Sequence, residues 1–310
     1  MLEQSCNSLK KSERSRAILS VLLGSAFIGL GPFFVEFSHA SAETNTFYRL
    51  LVGALFFISV SVIKKQLSIT PKFVMIGALG GCLLVLDLFL WNQSVLLIGA
   101  GLSTVLSNLE IVFLVLIGKI YFSEKTPNRF FTLCIFMVFG VGFLLMPVIP
   151  QFDNLNILGS FLAIGASLSY ALYLFSIKYM SERFPEQSST SMLAVICLTG
   201  CILLGVIMSF HDLKSLTLSS IHSAIFILIN SFLSQVIAWW LISRGLRSLS
   251  LSLSGFLLLL QPALTFFFDC LFLSRNTHWL QLIGLVFLLG SVYLASQYQS
   301  SQKETHESNH

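Results

Sequence analysis

Asp87 and Glu110 are acidic residues set inside long apolar runs, and Ser94, Ser107, Gln235, Gln261 and Thr265 are neutral polar residues set the same way. A charge at the centre of a bilayer costs about 2.5–3.5 kcal/mol on insertion scales, so such a residue normally faces a cavity or a partner. Gly80, Asp87, Trp91 and Ser94 follow one another at spacings of seven, four and three, which places them on one face of a helix. A carboxylate, an indole and a hydroxyl on one wall can hold a cation or a zwitterion without any covalent step. Two readings of Asp87 stand: it lines such a wall, or it hydrogen-bonds neighbouring backbone.

Ser103, Ser107, Glu110 and Leu114 also share a helical face, whereas Asn108 points nearly the other way. A carboxyl that loses its water there suits proton exchange near neutrality. The alternative is a permanently protonated Glu110 packing as a glutamine would. In the second half of the chain, Ser254, Gln261, Thr265 and Asp269 form one stripe, and Asn230 with Ser234 and Ser231 with Gln235 form two more. Acids in one half and amides and hydroxyls in the other suit a small zwitterionic or cationic metabolite. Arg49 is the sole candidate clamp for a phosphate, so a phosphorylated substrate is disfavoured. Trp91, Tyr48, Tyr170 and Tyr173 fall beside polar or small residues and are either cavity aromatics or ordinary packing. Trp239 and Trp240, followed by Arg244 and Arg247, read as an interfacial belt.

The elements that must position these side chains are ten apolar stretches: 17–37, 46–63, 73–92, 102–122, 130–149, 156–177, 190–210, 221–243, 249–273 and 279–297. Most are long enough for a helix to cross about 30 Å of hydrocarbon. With the N-terminus inside, one side of the membrane collects fifteen Lys and Arg residues and the other only Arg49, Lys214 and Arg275. This bias predicts a multi-pass protein of the cell inner membrane with ten helices and both termini cytoplasmic. Charged residues make up only 10% of the chain, too few to cover a water-facing surface. Function must therefore lie in the bundle, and the polar ends, 1–16 and 298–310, are expected to be mobile cytoplasmic tails.

A shift of 151 residues brings back a faint pattern: Glu110 falls on Gln261, and 120–126 falls on 271–277. The predicted fold is all-α, with repeats at 17–149 and 156–297. Five helices is an odd number, so the two halves would enter the membrane from opposite sides, as in secondary transporters with two alternating access states.

Further residues resemble a known family. Phe47-Tyr48-Arg49 before Leu50-Leu51, Asp87-Leu88-Phe89-Leu90-Trp91, then Ser94, Gly101, Thr104, Asn108 and the Phe-Ser-Glu at 122–124 resemble EamA-type members of the drug/metabolite transporter superfamily. Gln261-Pro262 and Ser234-Gln235 resemble that family's second half. The chain departs from the pattern at Ile111, which stands where Pro262 would predict proline, and at Arg275, which stands opposite Glu124. The resemblance implies ten helices, a central cavity and movement of a small metabolite without an ATP-binding domain.

The resulting expectation is an alternating-access transporter of an amino-acid-like, zwitterionic or cationic metabolite, with proton coupling as an option. Its substrate-binding residues would be drawn from Tyr48, Asp87, Trp91, Ser94, Ser107, Glu110, Tyr170, Gln235, Gln261 and Thr265. The alternatives are a small-multidrug-like exporter of lipophilic cations and a sensor or scaffold that transports nothing. The partners expected are the metabolite, the lipid bilayer and protons, with no nucleic acid, and the protein as monomer or homodimer. No phosphate-binding GxxxxGK[ST] loop, HExxH or GxSxG motif occurs, so neither an ATP-driven pump nor an intramembrane enzyme is indicated. The six cysteines form no metal-binding spacing and read as small hydrophobes, and no cofactor is indicated.

Overall fold

The computed structural model describes residues 2–66, 70–124, 128–146, 154–211, 216–218, 220–272 and 278–307, and among them there is no strand. The first apolar stretch forms α1 (Leu2–Gly29) and α2 (Gly31–Ser38), divided at Leu30, between two glycines and ahead of Pro32. α3 (Ala42–Ile63) starts at Ser41, whose hydroxyl accepts from the Thr44 amide at 3.1 Å and so satisfies one of the free N–H groups of the first turn.

α4 (Pro71–Ser107) carries helical hydrogen bonding through 37 residues, yet it cannot be one straight rod. Ser94 Oγ and Ser103 Oγ lie 2.7 Å apart, whereas nine residues of straight helix span about 13.5 Å. The chain therefore folds back between them. α5 (Glu110–Tyr121) follows, and then α6 (Asn128–Leu145), α7 (Asn154–Arg183) and α8 (Ser189–His211). Next come α9 (Ile221–Asn230), a π-helical segment (Ser231–Ala238) and α10 (Trp239–Ser248). α11 (Leu251–Leu258), α12 (Leu260–Phe272) and α13 (Trp279–Glu307) complete the described chain. With α4 counted as two arms, the second running on into α5, these elements occupy the ten predicted stretches.

Six of the described helical segments are long and apolar enough to cross a membrane, and Phe130–Phe143, Leu251–Thr265 and Trp279–Ala295 are shorter apolar helices. Large hydrophobes lie on the outside as well as the inside: Leu96, Ile120, Phe210 and Ile221 are exposed, while Phe57, Ile111 and Leu174 are buried. A helix surface that is apolar all round belongs in lipid.

The two halves interleave. α4 packs most extensively on α7, α3 on α8, α6 on α13 and α1 on α10. Exchanging first-half for second-half elements maps this set of pairings onto itself. Close approach of α1 and α10 depends on Gly24, where a Cβ would stand 2.6 Å from Ile242 Cγ1. Ala163, Ser167 and Ala171 form a fully buried seam on α7.

The polar ends are helical: α1 begins at Leu2 and α13 runs to Glu307, since Leu2–Leu23 and Ser291–Glu307 contain no glycine or proline to stop a helix. Two expectations need correction. The fourth stretch is not one regular helix but breaks at Asn108–Leu109. The ninth breaks likewise at Leu259, where Pro262, three residues on, lacks the N–H needed to carry an α-helix straight through. Those two breaks stand 151 residues apart, Asn108 against Leu259.

One end of the bundle is laced by charged side chains. Glu124 bonds the amides of Leu251 and Ser252 and the Ser252 hydroxyl, at 2.5, 3.1 and 2.6 Å, capping α11 with a carboxylate where the helix dipole favours one. Gly118 leaves the room: a Cβ there would meet Ser252 Oγ at 2.8 Å. Lys178 Nζ donates to the Leu246 and Leu249 carbonyls at 3.0 and 2.9 Å and pairs with Glu182 at 3.1 Å. Arg247 donates to the Pro185 and Gln187 carbonyls. The opposite end is held by neutral bonds, Tyr48 to the Leu216 carbonyl at 2.8 Å and Ser223 to the Ser38 carbonyl at 2.6 Å. It contains a crevice of about 320 Å³ lined by Glu43, Thr46, Asn92, Gln93 and apolar residues of α4 and α8.

Candidate functional site

Polar side chains from both halves converge in mid-bundle. Asp87 comes from the first arm of α4, and Glu110 is the first residue of α5, just past the helix break. The two carboxyls lie within electrostatic reach of each other. Glu110 occupies the N-terminal turn of a half-helix, where the helix dipole favours an acid, although the amides of Ile111, Val112 and Phe113 are already bonded to the Asn108 and Leu109 carbonyls. Tyr170, on α7, lies within electrostatic reach of both acids and beside the Gln261 side chain of α12. Asp87, Glu110, Tyr170 and Gln261 are each half-buried; Asp87 and Tyr170 sit well inside α4 and α7, while Glu110 and Gln261 open the half-helices α5 and α12 just past the two helix breaks.

Behind this group lies a second layer. Tyr173 is fully buried and packs edge-on against Trp239, with ring centroids 4.9 Å apart, and Tyr170 stands 6.3 Å from the same indole. Arg49, on α3, acts electrostatically with Tyr173, Tyr170 and Cys197. Gln235 Nε2 donates to Cys197 Sγ at 3.2 Å. Gln235 belongs to the π-helical segment, a widened turn of the kind frequent at functional sites. Gly53 makes room for it, since a Cβ there would meet Gln235 Cγ at 2.7 Å.

Not every predicted site residue joins the cluster. Ser94 does not face a cavity: it is fully buried and bonded to Ser103 across the α4 bend. Tyr48 is turned to the Leu216 carbonyl at the bundle end. Thr265 donates to the Gly29 carbonyl at 3.0 Å and ties α12 to the α1–α2 break. Gln235 is buried against Cys197 rather than open to the central space. Ser107 lies one turn before Glu110 with its Oγ buried and unpartnered among the described residues. Trp91 is half-buried on the Asp87 arm, and no ring contact among the described residues joins it to Tyr170, Tyr173 or Trp239. The side chain of Asp269 lies outside the described residues.

Two expectations about other residues also change. Trp239 is no interfacial anchor: it is buried on the tyrosines, while Trp240 keeps the exposed position with Arg244 4.8 Å over its ring. Cys197 is not merely a small hydrophobe, because it accepts the Gln235 bond. The residue underrated from sequence is Arg49. Its signal was present, as the single charge in the apolar run 46–63. Among the described residues, no group of three metal-ligating side chains occurs.

The model of the EamA-like transporter family matches residues 15–146 and again 157–297. The chain belongs to the EamA-like transporter family. A solved structure described only as "Crystal structure of protein" shares the fold, with a TM-score of 0.77 and 15% identity over 92% of this chain and 98% of that one. No curated protein sequence matches. For an EamA-like transporter, the pair of matches places Asp87, Glu110 and Arg49 in the first unit and Tyr170, Tyr173, Gln235 and Gln261 in the second. The central cluster is thus shared between the units. The chain is a multi-pass membrane protein of a transporter family, and family members of this kind are not enzymes.

Proposed function

We propose that the protein is a secondary transporter of a small amino-acid-like, zwitterionic or cationic metabolite, working by alternating access between two inverted five-helix repeats at 17–149 and 156–297. The observation that carries this reading is the Asp87–Glu110 pair set beside Tyr170 and Gln261 of the other half in mid-bundle. Two carboxyls in apolar surroundings attract a cationic group, and the amide and phenol provide neutral hydrogen bonds beside it. The matching helix breaks before Glu110 and Gln261 support the repeat, as do pairings that survive exchange of the halves. Broken helices at mid-membrane are where such transporters hold ligands.

In this reading the laced end, which carries Glu124, Lys178 and Arg247, faces the cytoplasm together with both termini, and the membrane is the cell inner membrane. Glu110 exchanges a proton as the cavity opens to each side, which couples proton flow to substrate. The decisive experiment is uptake and efflux by the purified protein in liposomes, screened against pooled metabolites with and without a pH gradient. Transport of a charged small metabolite supports the reading, and absence of any flux from every pool removes it.

A second reading is export of lipophilic cations. The grouping of Tyr170, Tyr173 and Trp239 beside the two acids favours it, because aromatic faces attract cations by about 0.5–2 kcal/mol. Flux of quaternary aromatic cations in preference to metabolites in the same liposomes would select it.

A further inference from the structure

Arg49 is a half-buried charged group among the helices, and no acid among the described residues forms an ion pair with it. The groups acting on it are two phenols and a thiol, Tyr173, Tyr170 and Cys197. Its Nε is buried with no hydrogen-bond partner among the described residues, and Gln261 Nε2 and Tyr173 Oη are in the same state. Nε and Nε2 can only donate, and the phenol can donate too. A guanidinium is never deprotonated in a protein and costs several kcal/mol to hold out of water unless it is paired. Arg49 and Tyr173 therefore bring a positive charge and an unpaired donor together with no acceptor for either among the described residues. Asp87 and Glu110 are the acids in excess on the other side. Tyr170 and Tyr173 stand between, since each interacts with Arg49 and with Asp87. No ion pair among the described residues joins Arg49 to Asp87 or Glu110, so the two poles are not cancelled against each other.

We infer that Arg49 binds the carboxylate of a substrate whose cationic group sits on Asp87 and Glu110, so that the site selects an elongated zwitterion with separated charges over a simple amine. A planar carboxylate matches the two-pronged guanidinium fork, which a lysine ammonium cannot reproduce. Gln261 Nε2, buried without a partner among the described residues and beside Tyr170, is a further donor available to the ligand. Tyr173, being fully buried, holds the arginine in position and does not touch the ligand. An α-amino acid carries both charges on one carbon and cannot reach both poles, whereas a straight-chain ω-amino acid can.

This inference rests on the transport reading above, and its test separates the two. The purified full-length protein is assayed for ligand-induced thermal stabilisation and for exchange in liposomes. The probes are straight-chain ω-amino acids of three to six carbons, the matching alkylamines, the matching fatty carboxylates and the common α-amino acids. The expected result is that one ω-amino acid length stabilises and exchanges best, with the amine and the carboxylate alone weaker. Arg49→Gln should weaken that ligand about 10-fold or more, as loss of a charge-assisted bond requires, and leave the matching amine unchanged. Arg49→Lys should restore only part. Asp87→Asn should do the converse, sparing the carboxylate. Equal response to the amine and its ω-amino acid, a preference for α-amino acids, or an Arg49→Gln protein that binds all probes as before overturns the inference and leaves transport standing. A protein that exchanges none of these probes but carries a metabolite without a carboxylate does the same. Failure of every probe and every metabolite pool removes the transport reading itself. Should Arg49→Gln not fold, the comparison of probes on the unaltered protein and on Arg49→Lys still decides.

Discussion

The Glu124 Oε2 atom lies 2.6 Å from the Ser252 hydroxyl and 3.1 Å from the Ser252 amide, although 128 residues separate the two side chains in sequence. One carboxylate from the first half thus closes the exposed start of α11 in the second half. Glu124→Ala removes a charged cap and leaves amides unpaired, which should lower stability by about 2 kcal/mol. Glu124→Gln, still able to accept, should lose less. Thermal melts in detergent read both, and a melt unchanged in Glu124→Ala would show that water caps α11 equally well.

The Ser94–Ser103 bond should be worth roughly 0.5–1.5 kcal/mol. Ser94→Ala and Ser103→Ala singly should each lower stability, and the double substitution should cost less than their sum. Additive losses would mean that the bend in α4 is held by other contacts.

Trp239→Ala should destabilise the protein by about 3–5 kcal/mol, as a buried large aromatic does, whereas Trp91→Ala should leave folding and expression near normal. If Trp91 faces substrate beside Asp87, its loss should weaken binding by about 0.5–2 kcal/mol for a cationic group. Transport affinity measured once a substrate is known checks this, and an unchanged affinity would return Trp91 to simple packing.

Glu110→Gln keeps the size and hydrogen bonding of the side chain but cannot titrate. If Glu110 couples protons, that variant should still exchange substrate across liposomes, fail to accumulate it against a gradient, and lose the pH dependence of its rate. Accumulation equal to that of the unaltered protein would leave Glu110 a buried polar group like Gln261.

The topology is checked by fusions at residue 298. A fluorescent-protein fusion there should be bright and an alkaline-phosphatase fusion inactive; the reverse pattern would place the C-terminus outside.

Much of the architecture was legible before any coordinates. Apolar length reveals a span because lipid offers the backbone no alternative partner, so the ten stretches reappear as helical elements. The divisions at Leu30 and Leu259 lie beside Gly29, Gly31 and Pro32 and ahead of Pro262, marks that the reading of 17–37 and 249–273 as single stretches passed over. The break at Asn108–Leu109 had no such mark, since Ile111 stands where the other half has proline.

The central site was legible only by residue type. Sequence alone picked out Asp87, Glu110, Tyr170 and Gln261, because polar groups are costly in an apolar run and each must have a reason to be there. It could not say which of them meet. Helical periodicity orders the side chains of one helix, but it holds no information about which face of α7 turns toward α4 or α12. That is why Ser94 looked like a neighbour of Asp87 and proved to be the clasp of a bend, and why Trp239 looked interfacial and lies against Tyr173. Arg49 was visible as a lone charge, but that no acid among the described residues pairs with it is a matter of three-dimensional distance, fixed only when α3 packs on α8 beside the tyrosines of α7.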